Sequence, residues 1–137
     1  MSALRIRGVA MKVFVYKNLH ATKKAGHTVY SIKALSGAKK GKVIARSRNV
    51  MIGLAEGKVS EAGRQRVLRE RKKSVHAGIV GHLMGTHPVD PETLGGTTSR
   101  ITYNPYKYEQ FVHADTEAPF EGAPVVCLSD EGVIAVN

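Results

Sequence analysis

From Lys12 onward the chain alternates short apolar runs with breaks rich in glycine and lysine, the pattern of strands joined by close connections. Lys12 to Lys17 (KVFVYK) carries β-branched and aromatic residues at every inner position, which predicts a strand apolar on both faces. Thr28 to Leu35 (TVYSIKAL) and Lys42 to Arg46 (KVIAR) are the second and third strands, joined through the loop SGAKKGK. Asn18 to Gly26 is predicted as a polar connection. Asn49 to Leu54 (NVMIGL) is a fourth strand, weakened by Gly53. Short strands with close turns point to an antiparallel meander.

After Ser60 the period changes. Ser60 is a good N-cap, Glu61 suits the first turn, and Lys72 and Lys73 suit the C-terminal end, so one main helix is predicted over about 60–76. At ~100° per residue, Val67, Leu68 and Val75 share its apolar face, which should meet Val13, Val15, Val29, Ile32 and Ile44 of the sheet. Ile79 to Met84 is a short helical or extended piece, and His87 to Ser99 a loop with two prolines and two glycines. Arg100 to Tyr103 and Tyr108 to His113 read as short strands. Val125 to Leu128 and Val133 to Val136 read as a C-terminal hairpin turning through SDEG. The expected class is α+β: an antiparallel meander packed on one main helix, with a C-terminal hairpin. Met11 looks like a natural start, so residues 1–10 are expected to be an extension or alternative start, and 11–137 a single α+β domain.

Charge changes this picture most. The 137 residues carry a formal net charge of +10. Residues 1–75 hold 19 of the 21 Lys and Arg against three acids, a balance of +16; residues 76–137 hold two cations against eight acids, a balance of −6. Such asymmetry points to nucleic acid or another phosphate-bearing partner. No run approaches the roughly 18 to 20 apolar residues of a membrane span, so no membrane partner is expected. Cys127 is the one cysteine, which rules out an internal disulfide or a cysteine zinc site and suits a reducing cytoplasm.

The candidate site follows from the helix. Arg64 and Arg71 stand inside the apolar stripe, about two turns apart, where an unpaired guanidinium is costly. Each should therefore meet either a ligand phosphate or a carboxylate of the acidic half such as Glu109 or Asp115, since Glu61 and Glu70 project elsewhere. Ligand binding is the reading preferred here. Arg66, Arg69 and Lys72 form a basic face that is either solvated or in contact with phosphate. Lys39 and Lys40 sit on a hairpin tip that fails the P-loop pattern in spacing and in lacking a following Ser or Thr, yet could add to a phosphate site. Thr102 to Val112 (TYNPYKYEQFV) concentrates aromatic residues: Phe111 and Tyr103 suit the core, while Tyr106 and Tyr108 are open to base stacking. Six histidines show no HExxH or other ligand spacing, no GxSxG elbow is present, and no paired-carboxylate motif exists. No catalytic residue, metal or cofactor is expected.

Three blocks, KVFVYKNLH, KVSEAGRQRVLRERKKSVHAGIVG and TYNPYKYEQFV, resemble a group of small basic proteins of bacteriophages and mobile elements. The resemblance lends no fold, cofactor or catalytic residue. It implies a phage setting in the cytoplasm of an infected bacterium, where small proteins take over host nucleic-acid processes or blunt host defences. The expectation is a non-enzymatic phage accessory protein that binds nucleic acid through a basic surface. The alternatives are a homo-oligomeric anti-defence sponge for cyclic-nucleotide signals, or an inhibitor docking on an acidic host-protein surface.

Overall fold

Runs of β-branched residues separated by only a few polar positions favour strand pairing over helix formation, and strands are the dominant regular structure among the described residues. The computed structural model describes residues 11–137, so the predicted extension 1–10 lies outside the described residues. Among the described residues nine strands form: β1 (Lys12–Lys17), β2 (Tyr30–Ala34), β3 (Val43–Ser47), β4 (Val50–Val59), β5 (Ala77–Gly85), β6 (Thr98–Thr102), β7 (Val112–His113), β8 (Ala123–Ser129) and β9 (Gly132–Val136). They make one antiparallel sheet in the order β3-β2-β1-β5-β4-β8-β9-β6-β7. Two short helices, α1 (Leu19–Ala25) and α2 (Glu61–Glu70), and a 3-10 turn at Pro91–Leu94 lie in the connections. The predicted α+β class is therefore corrected to a β-rich fold. The meander holds for β1 to β3 and the C-terminal hairpin is present, but no main helix covers the sheet.

A sheet without a helical layer must bury its apolar face against itself. Val13, Val15, Ile32, Ile52, Val126 and Ala135 are all fully buried in one core with Tyr30, Phe111 and Phe120. The Tyr30 hydroxyl donates to the Ser129 carbonyl at 2.8 Å. β2 and β8 are four steps apart in the strand order, about 19 Å on a flat sheet, so this contact requires strong curling. Asp130, in the β8–β9 turn, fastens the same seam: it accepts from the Thr28 amide at 2.7 Å and pairs with Arg48 at 2.8 Å. These bonds hold its carboxyl down to about 2, the Thr28 amide contributing most.

The predicted connection Asn18–Gly26 contains α1, because Asn18 acts as its N-cap, accepting from the Ala21 amide at 2.9 Å. Asn18 also donates to the buried Ser31 hydroxyl at 3.0 Å, tying α1 to β2. β4 runs past the predicted end at Leu54 to Val59, carried through a register shift between Gly53 and Glu56 with Leu54 at φ 48°. Ile79 to Met84 resolves as part of strand β5. The predicted strand Tyr108–His113 shrinks to two residues.

The helix predicted over 60–76 ends at Glu70, and hairpin closure explains why. β4 and β5 pair down to Val59 opposite Ala77, and the Ser60 amide donates to the His76 carbonyl at 2.7 Å. A helix continuing to residue 76 would end about 24 Å from its start, leaving Ala77 no way back to Val59. Ten helical residues instead lead out about 15 Å, and residues 72–76 return outside any helix or strand. The turning point is Arg71, left-handed at φ 57°, its amide donating to the Val67 carbonyl at 2.8 Å. Of the three residues predicted to face the sheet, Val67 is buried, Leu68 is half-buried and Val75 is exposed on the return segment. Val13, Val15, Ile32 and Ile44 do belong to the sheet core or pack on it, a cluster that does not include Val67.

Candidate nucleic-acid interface

α2 and the segment after β6 form one unit, and Arg64 is its fastener. Asn104 builds a tight turn: its side chain accepts from the Tyr106 amide at 2.9 Å, and its carbonyl accepts from Lys107 and Tyr108. This turn presents two carbonyls to α2. Arg64 Nε donates to the carbonyls of Pro105 and Tyr108, each at 3.0 Å, and Nη1 lies 3.3 Å from Glu61. Its side chain is only 13% exposed. The expectation that Glu61 projects away from Arg64 is thus corrected: the two are one helical turn apart and in contact. Neither Glu109 nor Asp115 pairs with Arg64 or Arg71.

Beneath Arg64 lies a ring cluster. Tyr103 packs against Phe111 with centroids 5.2 Å apart, and its hydroxyl sits 2.7 Å from His76 Nε2. His76 Nδ1 faces the Ser74 carbonyl at 3.0 Å, which only a protonated nitrogen can satisfy, so in the neutral ring Nε2 accepts from Tyr103. Burial pushes the Tyr103 hydroxyl up; the Arg64 guanidinium opposes this and Glu61 adds to it. Gly63 is obligatory here: a methyl group at its Cβ would stand 2.5 Å from the His76 Cβ. The return segment can therefore lie directly on the first turn of α2.

The remaining cations point outward. Arg66, Arg69, Arg71, Lys72 and Lys73 are exposed, and among the described residues none is paired with a carboxylate. The Arg71 guanidinium lies 5.4 Å from the ring centroid of the exposed Tyr106, and Lys107 Nζ lies 5.5 Å from that of Tyr108. These are cation–π distances. Arg64 and Arg71 thus meet the turn that carries Tyr106 and Tyr108, with Arg64 turned inward, while Arg66, Arg69 and Lys72 are exposed on α2 and its return segment. Lys39 and Lys40 sit apart, on the exposed β2–β3 turn held by Gly41 donating to the Ala34 carbonyl at 2.7 Å.

Beside this unit lies a groove of about 380 Å³ on the outer face of the sheet, which the sequence reading missed. Phe14 and Tyr16 of β1 form its floor with Val80, flanked by Lys33 and Lys58 and walled by Ser60, Val75 and His76. The signal was present in KVFVYK: alternation sends Val13 and Val15 inward and Phe14 and Tyr16 outward. Reading both faces as apolar concealed it. Among the described residues, no three His, Cys, Asp or Glu side chains come together as a metal site, and no helix is long and apolar enough to cross a membrane.

Comparison with known proteins gives the lineage. The family of the Mycobacterium phage L5 gene 82 protein matches residues 8–136. The gene 82 protein of Mycobacterium phage L5 itself is 54% identical over 125 residues, covering 91% of this chain and 95% of that protein. The chain belongs to the phage L5 gene 82 protein family. The phage resemblance expected from the sequence is therefore sound at the level of a phage protein family. No solved structure matches the chain.

Proposed function

We propose that this member of the gene 82 family is a non-enzymatic phage protein that binds nucleic acid through the basic surface of α2, its return segment and the Tyr106–Tyr108 turn. The observation that carries the reading is the exposed set Arg66, Arg69, Arg71, Lys72 and Lys73, unneutralised by the acidic half of the chain. Exposed cations that outnumber the neighbouring acid, here Glu70 alone between Arg69 and Arg71, repel one another, and polyphosphate relieves that repulsion while releasing counterions. Arg71 over Tyr106 adds a flat cationic surface suited to phosphate and base together. Arg64 has the supporting role, since its Nε is already engaged by two carbonyls.

Fluorescence anisotropy of labelled DNA and RNA oligonucleotides, titrated over a range of salt, tests the reading. Binding should be clear at low salt and fall steeply as salt rises. The triple variant Arg66→Gln/Arg69→Gln/Lys72→Gln should flatten the log–log salt slope by about two to three. Absence of binding to both nucleic acids at low salt would remove the proposal.

A further inference from the structure

We infer that the groove on the outer sheet face takes an unpaired base of a single-stranded nucleic acid, stacked on Phe14 and Tyr16, with its flanking phosphates met by Lys33 and Lys58. The inference rests on the nucleic-acid reading above and deepens it, from phosphate binding in general to a preference for single strands. Four observations support it.

First, the two rings lie side by side, with centroids 5.6 Å apart and planes 34° from parallel, and both stay half-exposed. Second, the sheet makes room for them. Gly78, next to the Ile79 that pairs with Val15 of β1, leaves the Phe14 ring lying on bare backbone; a Cβ there would run into that ring and the Val15 carbonyl. Third, the charge around the rings is of one sign. Lys33 stands directly across from Phe14 on β2, and Lys58 lies across from Gly78 on β4. No carboxylate lines the groove; Glu56 is opposite Val80 in the register but outside the lining. Fourth, the groove adjoins the basic surface, since Ser60, Val75 and His76 form its wall and belong to the connection that carries α2. A strand could therefore run from the cations of α2 onto the rings without leaving protein. At about 380 Å³ the space is at the small end for a ligand pocket, suited to one base rather than a paired step. A duplex hides its base faces, whereas aromatic platforms flanked by lysines are what single strands use.

The test compares a fluorescein-labelled thymidine 12-mer, the corresponding duplex and thymidine monophosphate, on the full chain. Tyr16→Leu keeps apolar bulk and removes the ring; Lys33→Gln/Lys58→Gln removes the flanking charge at exposed or half-exposed positions. Melting curves accompany each variant, and affinities are referred to the folded fraction. Wild type should prefer the single strand to the duplex, and Tyr16→Leu should weaken the single strand by about five- to a hundredfold while leaving the duplex unchanged. Loss of single-strand affinity in Lys33→Gln/Lys58→Gln supports the same assignment. If Tyr16→Leu leaves single-strand affinity within twofold while the Arg66/Arg69/Lys72 variant abolishes it, the groove assignment is wrong and the basic-surface reading stands. If thymidine monophosphate binds as tightly as the 12-mer, the occupant is a free nucleotide and the single-strand assignment fails. If no nucleic acid binds, both fall.

Discussion

Arg64 and Arg71 are chemically identical and seven positions apart, yet the structure separates their roles, and replacing each by lysine exposes the difference. In Arg64→Lys the charge stays but the Nε donor shared by the Pro105 and Tyr108 carbonyls disappears. A hydrogen bond from a charged group to a partly buried acceptor is worth about 1.5–3 kcal/mol, and the carbonyls are left short of a donor. The contact with Glu61, which is 57% exposed, adds only a few tenths of a kcal/mol, in the range of about 0–1 for surface pairs. The expected loss is about 2 kcal/mol, which for a chain of this size lowers Tm by roughly 6–10 °C. Arg71→Lys removes only an exposed contact over Tyr106, worth about 0.5–1 kcal/mol and largely retained by an ammonium, so Tm should move by no more than ~2 °C. Thermal melts followed by circular dichroism, checked by urea titration, give both numbers. Equal melting temperatures for the two variants, or a larger loss in Arg71→Lys, would refute the assignment of Arg64 as the fastener of the Asn104 turn.

Gly63→Ala should cost about 1–3 kcal/mol in a urea titration, because the new methyl meets the His76 Cβ and the return segment must shift. Tyr30 is held un-ionised by burial, its pKa pushed up to about 12 from 10.0, with Asp130 adding a smaller push. The stability this gives is complete below pH 10 and should fall as pH rises from about 10 to about 12; Tyr30→Phe, measured by melting against pH, should lack that decline. Asp130 titrates the other way. Its carboxyl lies at about 2 in the fold against 3.8, so its contribution is present above pH 3.8 and fades as pH falls toward 2, a dependence that Asp130→Asn should remove.

Local residues made some of this legible in the sequence. KVFVYK predicts β1 to the residue, and SDEG marks the C-terminal hairpin, because β-branched alternation and turn residues act over a few positions. Ser60 likewise starts α2 as predicted. The end of α2 was not legible, since nothing near Arg71 breaks a helix; the stop is imposed by Val59 pairing with Ala77 across the connection. The same non-local closure displaced Arg71 from the apolar stripe and Val75 from the core. The partners of Arg64 are backbone carbonyls more than forty residues away, a class of partner that no count of nearby acids reveals. The missing helical layer was also non-local, because the curling that brings Tyr30 to Ser129 joins residues 99 apart. Clustering of cations in the first half was legible; that five of them stay unpaired at one end of a hairpin needed the fold.

Amide chemical-shift mapping by NMR, with a short single-stranded oligonucleotide added to the isotopically labelled full chain at low salt, tests the central claim most directly. The account predicts saturable shifts concentrated in residues 64–76 and 104–108, extending to Phe14, Tyr16, Lys33 and Lys58, and reversing as salt is raised. Shifts confined to the acidic β8–β9 turn, or none at any concentration, would contradict it.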